Sequence, residues 1–66
     1  MKIIVNGRER DVRDGLTVAE LLAGFGTGPS GVAVACNDEV VRRSSYDSHR
    51  VHSGDRIEII KAVAGG

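Results

Sequence analysis

The sequence predicts an α+β fold, a mixed sheet of four to five strands packed on one main helix. Three observations predict it. Short β-rich runs lie near both ends of the chain, at residues 2–5 and 56–61. Thr17 and Glu20 form a capping signature that opens one apolar stripe at helical spacing. Turn dipeptides, Asn6-Gly7 and Asn37-Asp38, separate further strand-like runs.

Each element follows from local pattern. Lys2 to Val5 places Ile3 and Val5 on one face. Asn6-Gly7 is the strongest short hairpin signal, because both central positions of a type I′ turn need φ > 0. Arg8 to Arg13 alternates charge around Val12 and reads as an exposed second strand that inserts only Val12 into the core. Asp14-Gly15 turns the chain again. The helix opens at Thr17, and Val18, Leu21, Leu22 and Phe25 form its apolar stripe before Gly24 and Gly26 end it. Residues 26–31 are loop. Val32 to Cys36, with little polarity on either face, reads as a third and central strand. Asn37-Asp38 leads to a short fourth strand, Glu39 to Arg42. Ser44 to Arg50 is polar, a loop or a single helical turn. Ser53-Gly54-Asp55 is a turn, and Ile57 and Ile59 anchor the last strand. The order ββαβ(β)β, with the final strand returning beside the first, is the β-grasp arrangement. Residues 1–61 form its one domain and 62–66 a flexible tail. Ile3, Val5, Ile57 and Ile59 then face the helix. Ile4 and Ile60 face away and should lie close together, an exposed apolar pair beside the tail.

The bulk numbers exclude several functions. Sixty-six residues make one small domain with a thin core. There is no room for a deep cleft with its own catalytic constellation, so the chain is expected to serve larger enzymes rather than to be one. Nine Lys and Arg balance nine Asp and Glu, which removes the usual electrostatic support for nucleic acid or membrane binding. No apolar run approaches the ~20 residues of a membrane span, and no secretory signal is visible. One cysteine cannot form an internal disulfide, so a reducing cytoplasm is expected.

Several motifs carry chemistry on paper only. Gly26-x-Gly28-x-x-Gly31 matches a dinucleotide fingerprint, but it follows a helix and precedes a strand, with Pro29 inside. The phosphate-binding motif needs the opposite order. His49-x-x-His52 could supply two metal ligands, whereas a structural zinc needs four, so no metal site is expected. Ser44, Ser45, Asp47 and His49 crowd into six residues, unlike triad members that come from separate elements. Turn chemistry accounts for them. Cys36 reads as a small core residue.

The remaining candidate is the end, Gly65-Gly66, which follows directly on strand-forming residues. Glycine has no Cβ, so such a backbone can enter a narrow channel and be approached closely by another protein. Residues 62–66 can extend at most ~18 Å beyond the strand. Simple fraying is the bland alternative.

The segments Met1-Lys-Ile-Ile-Val-Asn-Gly7, Thr17-Val-Ala-Glu-Leu-Leu22, Val34-Ala-Cys-Asn37, Val41-x-Arg43-x-x-Tyr46, Gly54-Asp55-x-Ile57-x-Ile59 and Val63-Ala-Gly-Gly66 occur in this order over nearly the whole chain. In that set the chain resembles the ThiS/MoaD group of ubiquitin-like sulfur carriers, and most closely its thiamine-biosynthesis branch. The molybdopterin-synthase small subunit also can end in Val-Ala-Gly-Gly, but is typically longer, with two prolines just before. Here Lys61-Ala62 stand in that place. Arg42 departs from the thiamine branch, which often has proline there.

The resemblance implies a mechanism. An adenylating enzyme similar to ThiF would convert the Gly66 carboxylate to an acyl-adenylate, and a sulfur donor protein would displace AMP to leave a thiocarboxylate. A thiazole synthase similar to ThiG would then receive the sulfur. Val63, Ala64 and Gly65 would be recognised as the tail, and the exposed pair Ile4 and Ile60, assigned by strand alternation, offers a contact for the activating enzyme. The chain itself would bind no cofactor; ATP, magnesium and zinc would belong to partners. A ubiquitin-like modifier joined through Gly66 to target lysines, and a β-grasp binding module with an idle tail, are the other readings the sequence leaves open.

Overall fold

Asn6 and Gly7 both adopt positive φ, 50° and 82°. This backbone closes a tight hairpin between β1 (Lys2–Val5) and β2 (Arg8–Asp11). The computed structural model describes residues 1–28 and 30–61. Asn37 and Asp38 repeat the device, with φ of 51° and 70°, between β3 (Val32–Cys36) and β4 (Glu39–Val41). The last strand, β5 (Arg56–Lys61), runs parallel to β1 and antiparallel to β3. The resulting five-stranded sheet has the order β2-β1-β5-β3-β4.

The helix α1 (Val18–Gly24) has seven residues, too few to be stable alone. Its N-terminus is fully bonded. The Thr17 hydroxyl accepts the Glu20 N–H, and the Glu20 carboxylate accepts the Thr17 N–H in return. The Leu21 N–H reaches the Thr17 carbonyl. The first two N–H groups, on Val18 and Ala19, donate to the carbonyls of His49 and Tyr46. The polar connection after β4 is therefore a structural support. It makes one 3-10 turn over Arg43–Ser45 and then lays Arg50 beside Thr17. At the C-terminus the Gly26 N–H bonds Ala23 and the Thr27 N–H bonds Leu22. Gly26, at φ 72°, permits this Schellman closure.

The core lies between the helix and one sheet face. Ile3, Val5, Val34, Cys36, Val41 and Ile57 come from the sheet, and Val18, Leu21 and Leu22 from the helix. Ile59 is half-buried against them. Leu16, Tyr46 and Val51 complete the core from connections. The sequence reading missed these three, since none belongs to a periodic run.

Three expectations need correction. Phe25 does not continue the helical stripe. It caps the helix, stands 41% exposed, and is covered by the Arg10 guanidinium 5.0 Å from its ring centroid. The second strand ends at Asp11, because Val12 turns to bond the N-terminal residue through its own N–H and carbonyl. The central strand is β5, not β3. Ala33 and Ala35 read as a second apolar face, but they are small residues on the side of the sheet away from the helix.

Leu22 is 1% exposed at the centre of the helix–sheet contact. Leu22→Ala should cost about 2–5 kcal/mol, in a domain that has about 3–5 kcal/mol to lose. Thr17→Ala should cost about 1 kcal/mol. Urea melts that rank the two in the reverse order would contradict this account of the helix.

Candidate functional site

Gly66, and the tail residues Val63, Ala64 and Gly65, lie outside the described residues. Their base is within them. β3 pairs with β5 continuously from Cys36 opposite Ile57 to Val32 opposite Lys61. The backbone is thus held by sheet pairing up to Lys61. Tyr46, 3% exposed, supports this end from below, with its hydroxyl donating to the Val32 carbonyl at 3.5 Å.

Alternation along β5 turns Ile57 and Ile59 toward the helix and Arg56, Glu58 and Ile60 away from it. Ile60 is 62% exposed and stands opposite Ala33. Ala35, opposite Glu58, sits one row along, with Val40 beyond it on β4. Val40 is 80% exposed. Ile60, Ala33, Ala35 and Val40 therefore form one apolar patch on the open sheet face, beside the end of β5. Val40 went unnoticed in the sequence, although two adjacent valines in a three-residue strand force one outward.

The expected Ile4–Ile60 pair does not form. Both face away from the helix, and β1 and β5 are neighbours. The parallel register, however, sets Ile4 opposite Arg56. Ile60 lies four residues further along, about 13 Å away at strand rise. Ile4 is half-buried beside Glu9 rather than part of the exposed patch.

The opposite end of β5 holds the other polar cluster. Asp55 accepts the His52 N–H at 2.8 Å and the Asn37 side-chain amide at 3.0 Å. Partial burial pushes the Asp55 carboxyl up, but these bonds, the Cys36 thiol and the His52 imidazole outweigh it and hold it below its ordinary value. The exposed His52 imidazole stands 3.9 Å from the carboxylate. His49 lends its carbonyl to the helix. Ser45 accepts the Ser48 and His49 N–H groups through its carbonyl, which is turn structure. Among the described residues no group of three or more His, Cys, Asp or Glu gathers as a metal site, and no helix is long and apolar enough to cross a membrane.

The ThiS family model matches residues 3–66. The sulfur carrier protein ThiS of Escherichia coli (strain K12) is 35% identical over 66 residues, covering all of both chains. A thiazole synthase of Paramagnetospirillum magneticum is 41% identical over the same length. The chain spans only 20% of that relative. The crystal structure of a thiamine biosynthesis protein (ThiS) from Geobacter metallireducens superimposes with a TM-score of 0.85 at 33% identity, with both chains fully covered.

Cys36 behaves as a core residue. Burial, followed by the Asp55 charge and hydrogen bond and the Glu39 charge, pushes its thiol from 9.0 up to about 11. The folded state thus keeps its proton where the unfolded state loses it. Stability should fall as pH rises through the window from 9.0 to about 11, and Cys36→Val should flatten that decline in pH-dependent melts. Iodoacetamide at pH 8 should label the native thiol far more slowly than the urea-unfolded one; equal rates would place the thiol at the surface.

Proposed function

The chain belongs to the ThiS family, and on that premise we propose that it carries sulfur for thiamine biosynthesis on the carboxylate of Gly66. A carboxylate is a poor electrophile, because its charge repels nucleophiles. An adenylating enzyme similar to ThiF, using ATP and magnesium, joins a Gly66 oxygen to the α-phosphorus of ATP and releases pyrophosphate. Sulfur from a persulfide-class donor attacks the acyl carbon and displaces AMP. Reductive release by a thiol leaves the thiocarboxylate, which a thiazole synthase similar to ThiG consumes. This chain supplies a covalent handle and docking surfaces, and its partners carry out catalysis. A reducing cytoplasm suits its single free cysteine.

The observation that carries this reading is the match of the whole chain, ending in Val63-Ala-Gly-Gly66, to a relative named as a sulfur carrier. The thiazole synthase relative, which contains a 41% identical segment within one polypeptide, supports the proposed receiver of the sulfur. The exposed Ile60 patch supports docking of the activating enzyme beside the reacting end. Val63, Ala64 and Gly65 thread the channel.

Incubation with the adenylating partner, ATP, magnesium and a sulfur donor should raise the intact mass by the exchange of one oxygen for one sulfur. One alanine added after Gly66 should abolish both this product and ATP–pyrophosphate exchange. Undiminished exchange by the extended chain would overturn the mechanism.

Ile60→Asp should weaken affinity for the adenylating partner several-fold in titration calorimetry while the thermal melt is retained. Unchanged affinity would remove the patch from the interface.

A further inference from the structure

The parallel ladder between β1 and β5 runs one step past the end of β1. Ile4 N–H donates to the Asp55 carbonyl and Asn6 N–H to the Ile57 carbonyl, each at 2.9 Å. The regular continuation would bond the Ile59 N–H to the main-chain carbonyl of Asn6, and the Ile59 carbonyl to the N–H of residue 8. Neither is possible. Asn6 has φ 50° and belongs to the turn, and Arg8 already pairs back with Val5 in the hairpin.

The side chain of Asn6 fills both places. Its Oδ1 accepts the Ile59 N–H at 2.8 Å, and its Nδ2 donates to the Ile59 carbonyl at 3.3 Å. One carboxamide thus stands in for a strand that has turned away. The bond lies two residues before Lys61, on the β1 side of a strand whose other side is paired with β3. We propose that Asn6 is the positioning residue of the reacting end: its carboxamide fixes the β5 backbone at Ile59 and so sets the base from which residues 62–66 are presented to a partner's active site. This rests on the sulfur-carrier reading for its consequence, but not for its geometry.

The molecule contains its own control. Asn37, in the second hairpin turn, uses the same substitution at the opposite end of β5, where its Oδ1 accepts the Arg56 N–H at 2.9 Å. Its φ is also positive, 51°. Glycine suits positive φ at both sites, so Asn6→Gly and Asn37→Gly each keep the turn and delete the clamp.

The test compares the two variants by amide hydrogen exchange and by ATP–pyrophosphate exchange with the adenylating partner. In Asn6→Gly the Ile59 amide should exchange at least about tenfold faster relative to Ile57, about 1.4 kcal/mol of lost local protection. The kcat should drop several-fold with KM little changed, because the docking face is intact while the carboxylate is delivered off-target. Asn37→Gly should leave both readouts as in the parent. Asn6→Asp, which keeps the acceptor and loses the donor, should fall between. Parental protection of Ile59 in Asn6→Gly, an unchanged kcat, or an equal kcat loss in both glycine variants would overturn the positioning role. If the parent chain itself supports no exchange with the adenylating partner, the carrier reading fails, and the Ile59 amide alone decides whether the clamp exists.

Discussion

The whole fold depends on the insertion of β5 between β1 and β3. Among the described residues the amino-terminal hairpin and the β3–β4 hairpin do not pair with one another; β5 alone joins them into one sheet. Its parallel pairing sets Ile4 opposite Arg56 and Val5 opposite Ile57, so nearly the whole chain lies between the partners. Such a contact bears a large loop-closure entropy before it returns any stability. Ile57, 1% exposed, offsets it by linking the helix to both halves of the sheet. The described residues thus end, at Lys61, on the strand that closes the sheet.

The connections do more structural work than their composition suggests. The helix is short enough that its N–H groups, not its stripe alone, decide whether it forms. Thr17 and Glu20 satisfy part of that need locally, and an added bond from Arg13 to Glu20 holds the glutamate in place. The carbonyls of Tyr46 and His49 satisfy the rest from a distant polar segment.

Two asparagines illustrate how one residue type can serve two levels of structure. Each sits where a tight turn requires positive φ, and each then uses its carboxamide to replace the main-chain hydrogen bond that the turn has removed. Glycine would satisfy the first requirement and fail the second. With side-chain clamps at Ile59 and Arg56 and strand neighbours on both sides, β5 is bonded along its length. The apolar patch of Ile60, Ala33, Ala35 and Val40 begins on this strand and crosses β3 to β4.

The sequence by itself determined the elements, because each rests on local physics. Turn dipeptides demand positive φ, a capping box satisfies helix donors within three residues, and alternation assigns strand faces. It also determined that Ile60 faces away from the helix, and by the order of its motifs it indicated the family. Tertiary structure decided what depends on register and on distant partners. Parallel pairing offset Ile4 from Ile60 and put Val40 in its place. Long-range packing buried Tyr46 and Val51 within a polar stretch, drew Phe25 out of the helical stripe toward Arg10, and made β5 central. No local pattern encodes such outcomes, because each is set by residues that meet only after the chain has closed on itself.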